Sequence, residues 1–244
     1  MKKVLQYFKV ITLIIVCSIT KATSQKGLHL GIEVTPQISW ILNNDDQTNA
    51  QFKYLNTLSG SFGITSHYFF SNGFGAGINV LYSSQGQRYK LNEIELTKKA
   101  EYLKLPLLAI YNYSINNTIN FIGKIGSQFS IIMGAQLTDI DGNDLVHNHK
   151  EAYQNYEVGI VISTGIANKI TEHIYLDASM RFDYGITDAE NKNYKKNINN
   201  PLEVPITNGY SLGINSRAIA NNMAAGITIG IRYLFRNETI HNLN

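Results

Sequence analysis

From Ala225 to Phe235 the chain alternates at every step. Ala225, Ile227, Ile229, Ile231, Tyr233 and Phe235 fall on one side, and Gly226, Thr228, Gly230, Arg232 and Leu234 on the other. Successive side chains of a β-strand point to opposite faces, so this segment builds a ribbon with one apolar face and one mostly small or polar face. A helix would scatter the same residues around its circumference. The pattern recurs seven more times. Leu28, Leu30, Ile32, Val34, Ile38 and Trp40 oppose His29, Gly31, Glu33, Thr35, Gln37 and Ser39. A weaker alternation with Phe62, Ile64 and Tyr68 runs through 58–69. Further runs are centred on Ile78 and Val80, on Leu103 to Tyr111, on Ile119 to Ile131, on Tyr156 to Ile162 and on Ile174 to Phe182. No segment after the N-terminus offers about 18 consecutive apolar residues, so a transmembrane helix is excluded there.

The expectation is eight strands of about 10–14 residues, the length of a tilted strand that crosses a bilayer and longer than the usual strand of soluble proteins. The connections predicted after strands two, four and six are short: Phe70 to Gly73, Ser114 to Asn117, and Asn168 to Glu172. Those after strands one, three, five and seven are long and polar, covering about 41–57, 86–100, 134–155 and 186–223. Short turns on one rim and long loops on the other are the mark of an outer-membrane barrel. The predicted fold class is therefore all-β: an eight-stranded antiparallel up-and-down transmembrane β-barrel with short periplasmic turns, long extracellular loops and both termini in the periplasm.

Alternation alone does not say which face looks outward, since a lipocalin-like barrel keeps its apolar side within. Two features favour lipid outside. The polar face carries Glu33, Lys104, Lys124, Glu157, Asp177, Arg181, Asp183 and Arg232, four acids against four bases. An eight-stranded barrel has just enough interior for side chains, and balanced charges there can pair. Arg181 and Arg232 would lie on neighbouring strands with Asp177, Asp183 and Glu33 as partners. Aromatics gather near strand ends on the apolar face: Trp40, Tyr82, Tyr111, Tyr113, Tyr156, Tyr184, Tyr233 and Phe235, as in interfacial girdles. These assignments predict that Ile229→Arg disrupts assembly and Thr228→Arg is better tolerated.

Residues 1–24 have the form of a secretory signal peptide, with Lys2, Lys3 and Lys9 before the apolar run Val10 to Ile19, and Ala22-Thr23-Ser24 at the cleavage site. Its removal takes the formal charge from +3 to −1, because Lys2, Lys3, Lys9 and Lys21 leave with no acid. The basic character is thus a targeting signal, and no nucleic-acid partner is expected. The single cysteine, Cys17, leaves too, which removes disulfide and thiol chemistry. The predicted barrel domain spans 25–236, followed by a tail, 237–244.

The run Glu101-Tyr102-Leu103-Lys104-Leu105-Pro106-Leu107-Leu108-Ala109 resembles the Tyr-Leu-x-hydrophobic-Pro-Leu-Leu strand of the PorT-like outer-membrane β-barrel proteins of the Bacteroidetes, where it forms the fourth strand. The resemblance extends from about Gly27 to Phe235. It implies an integral outer-membrane protein, inserted by the barrel assembly machinery and surrounded by outer-membrane lipid. It also implies secretion-system proteins as partners, since some members serve type IX secretion.

Asp139 and Asp141 lie in an acidic, glycine-containing stretch, but Lys150 stands where an EF-hand loop needs its closing Glu. His147 and His149, two residues apart, could share a metal ion, yet no third ligand is evident. The sequence assigns these four residues to ordinary loop positions and calls for no metal or cofactor. No nucleophile elbow accompanies the histidines. The expected function is a non-enzymatic structural or interaction scaffold, with a small outer-membrane lipid hydrolase or a narrow pore as alternatives.

Overall fold

The computed structural model describes residues 26–44, 53–70, 73–91, 94–145, 149–191 and 218–235. Eight strands follow one another around a closed ring: β1 Gly27–Leu42, β2 Lys53–Phe69, β3 Phe74–Leu91, β4 Ile94–Ser114, β5 Ile119–Thr138, β6 Tyr156–Lys169, β7 Ile174–Gly185 and β8 Asn221–Phe235. Every strand pairs antiparallel with its neighbours in sequence, and β1 closes the ring on β8 through pairs such as Ile32 with Ile231. Closure leaves no strand edge along the paired wall, which is why a β-structure can stand in hydrocarbon at all.

The predicted signal peptide and the tail 237–244 lie outside the described residues, as does the segment 192–217. The strands are 12 to 21 residues long, and β2 to β5 are the longest. Segments expected as loops, 53–57, 86–91, 94–100 and 134–138, are instead strand. Alternation persists in them, but the outward side has become polar. Tyr89, Leu96 and Lys98 are buried while Arg88, Lys90 and Lys99 are exposed. A wall that rises above the hydrocarbon has no reason to keep an apolar outer face, so the signal used to find the strands fades while the strands continue.

The tight turns share one construction. The backbone N–H groups of Phe70, Ile115 and Ile170 donate to the carbonyls of Phe74, Ile119 and Ile174 at 2.9, 3.0 and 2.9 Å. In the second turn Asn116 Oδ1 accepts from the amides of Thr118 and Ile119, and in the third Thr171 Oγ1 accepts from His173 and Ile174. These Asx- and Ser/Thr-turn bonds satisfy backbone donors that the ladder abandons. At the first turn Gly73 takes φ +82°, a left-handed conformation that favours glycine. Gly77, four residues further on in β3 and paired with His67, leaves the space across which the His67 ring lies.

Candidate functional site: the filled lumen and its two mouths

The wall sorts side chains by parity. Ile32, Val34, Ile64, Ile78, Leu107, Ile125, Ile162, Ile229 and Ile231 are exposed on the outer surface. The alternate residues point into the lumen, and there Glu33, Lys104, Lys124, Glu157, Asp177, Arg181, Asp183 and Arg232 are all 7% exposed or less. The structure brings these eight into connected groups.

At mid-height Arg181 is the hub. Its Nε donates to Asp183 Oδ1 at 2.8 Å, one Nη to Glu33 Oε1 at 3.2 Å, and the other to Gln128 Oε1 at 3.0 Å. Lys104 donates to the second Asp183 oxygen at 2.9 Å, and Lys124 stands 4.0 Å from Glu33. Glu33 is held further by Asn79 Nδ2 at 3.1 Å, and Asn79 Oδ1 lies 3.1 Å from His67 Nε2. Towards the long loops, Asn222 Nδ2 bridges Glu157 at 2.6 Å and the Tyr102 hydroxyl at 2.9 Å. Towards the tight turns, Arg232 donates from Nε to Asp177 at 2.7 Å and from Nη1 to His29 Nδ1 at 3.1 Å. Its guanidinium carbon sits 4.9 Å from the Tyr175 ring centroid and 5.5 Å from that of Phe69.

Buried charges in an enclosed lumen lose most of their hydration, so each must be met by an opposite charge or a fixed dipole. The amides that supply the dipoles, Asn79, Gln128 and Asn222, occupy the same inward parity as the charges, but an uncharged side chain in an alternating strand does not single itself out. The inward face is not uniformly ionic either. Phe69, Leu108, Ile110, Ile122 and Val161 pack as an apolar cluster within it. The void left between Glu33, Thr65, His67, Lys124 and Thr228 is about 10 Å³, room for one water molecule at most.

The long-loop mouth is covered. A short 3-10 turn, His149–Ala152, leads into Tyr153, which bridges Glu190 of the segment after β7. Gln154 N–H donates to Ala189 O, and Ala189 N–H to Ala220 O. Beneath this cover Lys98 pairs with Glu190 at 3.3 Å, both buried, and Tyr153 packs with Ala100, Tyr102 and Ile132. His149 is 3% exposed, with its ring edge-on to Tyr153 at 5.7 Å. Burial, reinforced by the Lys98 charge and opposed by Glu190 and Asp144, lowers its pKa to about 3. Lys98, Glu190 and Tyr153 were not singled out in the sequence, because they fall where loops were expected.

Of the other loop candidates, His147 lies outside the described residues. Asp139 closes its own turn, accepting from the amides of Asp141 and Asn143 and from the Asn143 carboxamide, which hold its pKa below the usual carboxylate value; Asp141 is exposed. No cluster of three or more His, Cys, Asp or Glu able to hold a metal ion occurs among the described residues.

The eight end-of-strand aromatics form two sets on the outer side. Trp40, Tyr82, Tyr156 and Tyr184 stand towards the long loops, and Tyr111, Tyr113, Tyr233 and Phe235 towards the tight turns. All are exposed or half-buried, and several contact neighbouring rings: Phe129 with Tyr156 at 6.1 Å, Phe74 with Tyr111 at 5.1 Å, and Tyr233 with Phe235 at 4.9 Å.

Residues 21–191, well over half of the chain, match the family of outer membrane protein beta-barrel domains. The chain belongs to that family. It is an outer-membrane β-barrel protein, and its apolar outer wall sits in lipid. Among characterised protein sequences none matches it. Solved structures of similar form include Neisserial surface protein A, with 15% identity and TM-score 0.44 over 86% of this chain and 97% of that one. They also include OprG of Pseudomonas aeruginosa, at 13% identity and TM-score 0.44 over 88% and 100%. Ail of Yersinia pestis, solved with the heparin analogue sucrose octasulfate, follows at 13% identity and TM-score 0.42 over 86% and 100%.

Proposed function

We propose that this protein is a closed, non-enzymatic membrane scaffold whose loop-bearing mouth engages other proteins. The observation that carries this reading is the lumen. At mid-height, side chains of both signs fill it, pair with one another and leave a void of about 10 Å³ beside Glu33, Lys124 and Thr228. A continuous aqueous channel needs space that this mid-height section of the lumen does not have. The lumen charges then serve to hold the wall in register, and the loops carry recognition on a rigid frame.

In this reading residues 1–24 direct export, 25–236 form the barrel, 237–244 a short tail, and the barrel assembly machinery inserts the chain. The tight turns face the periplasm and the long loops the exterior. The two aromatic sets mark the interfaces. Ile174 pairs with Tyr233, and ten residues further along β7 stands Tyr184, a spacing that agrees with the roughly 9–11 residues of a tilted membrane strand. The likeness of Glu101 to Ala109, within β4, to the PorT-like strand favours a component of a secretion machine as the partner.

Planar-bilayer recording of the purified protein tests the closed lumen. The expected result is no unitary conductance above baseline, and stable open channels would overturn it.

A further inference from the structure

Where β2, β3 and β4 continue above the aromatic set, the outward side of the wall is basic. Lys53 of β2 lies directly opposite Lys90 of β3, and both are exposed. Arg88 is two residues down β3 on the same face, and Lys99 of β4, opposite Gly86, continues the row; both are exposed. One carboxylate, Glu95, stands among these four cations, 3.2 Å from Arg88. The next one towards the membrane, Glu101, is half-buried beside the Tyr82 hydroxyl. Among the described residues no ion pair forms at Lys53, Lys90 or Lys99. Like charges placed directly across a strand pair destabilise it. Lys53 and Lys90 therefore repel where they stand, and an anion seated between them removes the repulsion.

The height and direction of the patch say what it meets. Tyr82 belongs to the aromatic set and shares strand and face with Arg88 and Lys90. At about 3.3 Å per residue and a tilt of about 40°, Lys99 lies roughly 10 Å above Tyr82, and Lys53 with Lys90 roughly 20 Å above it. Side chains stand perpendicular to a sheet, so the four cations reach sideways over the membrane surface and not upwards with the loop tips.

We infer that this patch binds the anionic core of lipopolysaccharide in the surrounding outer leaflet, through the phosphate groups that project above its acyl chains. Lysine ammoniums meet phosphate oxygens as point charges, and the Arg88 guanidinium offers them a planar fork. A second copy of this chain is disfavoured, because a two-fold contact through this face sets the patch against itself. A soluble partner approaching from above meets the loop tips before it meets these side chains. The inference rests on the proposed orientation, with the long loops outside, since that leaflet is the one that carries the glycolipid.

The test uses the full barrel refolded in zwitterionic detergent micelles and read by protein NMR shifts. It is titrated with rough lipopolysaccharide of phosphorylated core and, in parallel, with the same glycolipid after dephosphorylation and with phosphatidylglycerol. The expected result is saturable binding of the phosphorylated glycolipid, about tenfold tighter than either of the others and weakened by added salt. The triple variant Lys53→Gln, Lys90→Gln, Lys99→Gln should lose about tenfold in affinity. A charge-matched triple elsewhere on the surface, Lys26→Gln, Lys150→Gln, Lys169→Gln, should bind as the unaltered protein does. Heat-modifiable migration verifies that each variant is folded. No saturable binding, equal affinity for either comparison lipid, or equal loss in the two triples would overturn the inference. The orientation is tested separately, by labelling Thr118→Cys and Asp141→Cys in intact cells with an impermeant maleimide, and labelling at 141 alone is expected. Labelling at 118 alone would reverse the orientation and overturn the glycolipid as the occupant in the cell even where the micelle binding holds, which tells the two failures apart.

Discussion

The inner and outer surfaces of this barrel are made by the same strands, one residue apart, and obey opposite rules. Outside, a row such as Ile227, Ile229 and Ile231 needs nothing from its neighbours except that they be apolar, because lipid adapts to whatever it meets. Inside, Arg181 needs Asp183, Glu33 and Gln128, each at a particular distance and from a different strand. The outer surface tolerates exchange and the inner surface specifies. A slip of one residue between two strands would put ionic groups into hydrocarbon and aliphatic groups among charges. The inner network therefore works as a lock on register more than as a source of net stability, since buried ion pairs rarely exceed well-packed apolar residues in that respect.

The difference predicts a hierarchy of damage. Asp183→Leu should be worst, because it strands Lys104 and one side of Arg181 in the enclosed lumen, at a cost of about 3–5 kcal/mol. The pair Lys104→Met with Asp183→Leu should recover part of that loss, and denaturant unfolding in liposomes measures both. Next comes Ile229→Arg, which places a cation near mid-depth on the lipid side, at about 2–4 kcal/mol. An arginine at 228 is no longer expected to be tolerated, although alternation alone suggests it. Thr228 is buried beside a void of about 10 Å³ and shares a 2.8 Å hydrogen bond with Thr35, so the larger side chain overpacks a full interior. The cleaner inner counterpart is Thr228→Val, expected to cost about 1 kcal/mol in the same assay for the lost hydrogen bond.

A smaller effect sits at the loop mouth. His149 has a folded pKa of about 3 against an ordinary 6.5, so the open form binds the proton more readily than the closed one. The contribution of His149 to closing the cover is complete above about pH 6.5 and is lost as pH falls towards 3. Protection of the Gln154 and Ala189 amides, which bond across the cover, taken relative to the intrinsic exchange rate at each pH, should fall over that window. His149→Phe, which keeps the ring contact with Tyr153, should remove the pH dependence of that protection while leaving it high.

Much of this was legible in the sequence because a strand writes its two environments on alternate residues. The eight strands, their antiparallel order and the three tight turns follow from parity and from where polar clusters interrupt it. The strand ends towards the loops were not legible. Above the membrane both faces are polar, and Arg88, Lys90, Glu95 and Lys99 look like loop residues although they belong to a hairpin. The network was half legible. Charges such as Arg232 and Asp177 stand out on a polar face, whereas Asn79, Gln128 and Asn222 become visible only when the ring brings distant strands together. The common closure of the tight turns, an apolar residue, a small polar residue, two more and a second apolar residue, is present in Phe70-Ser71-Asn72-Gly73-Phe74, Ile115 to Ile119 and Ile170 to Ile174. It is a repeat too short to notice before its hydrogen bonds are seen.

The division of the wall into a lipid side and an enclosed side can be measured residue by residue. Photolabelling of the unaltered protein in liposomes by a diazirine carried on a lipid acyl chain, read residue by residue by tandem mass spectrometry, reports which positions face hydrocarbon. The account predicts adducts at 227, 229 and 231 and none at 228 and 230. Adducts of the opposite phase, or with no period of two, would contradict it.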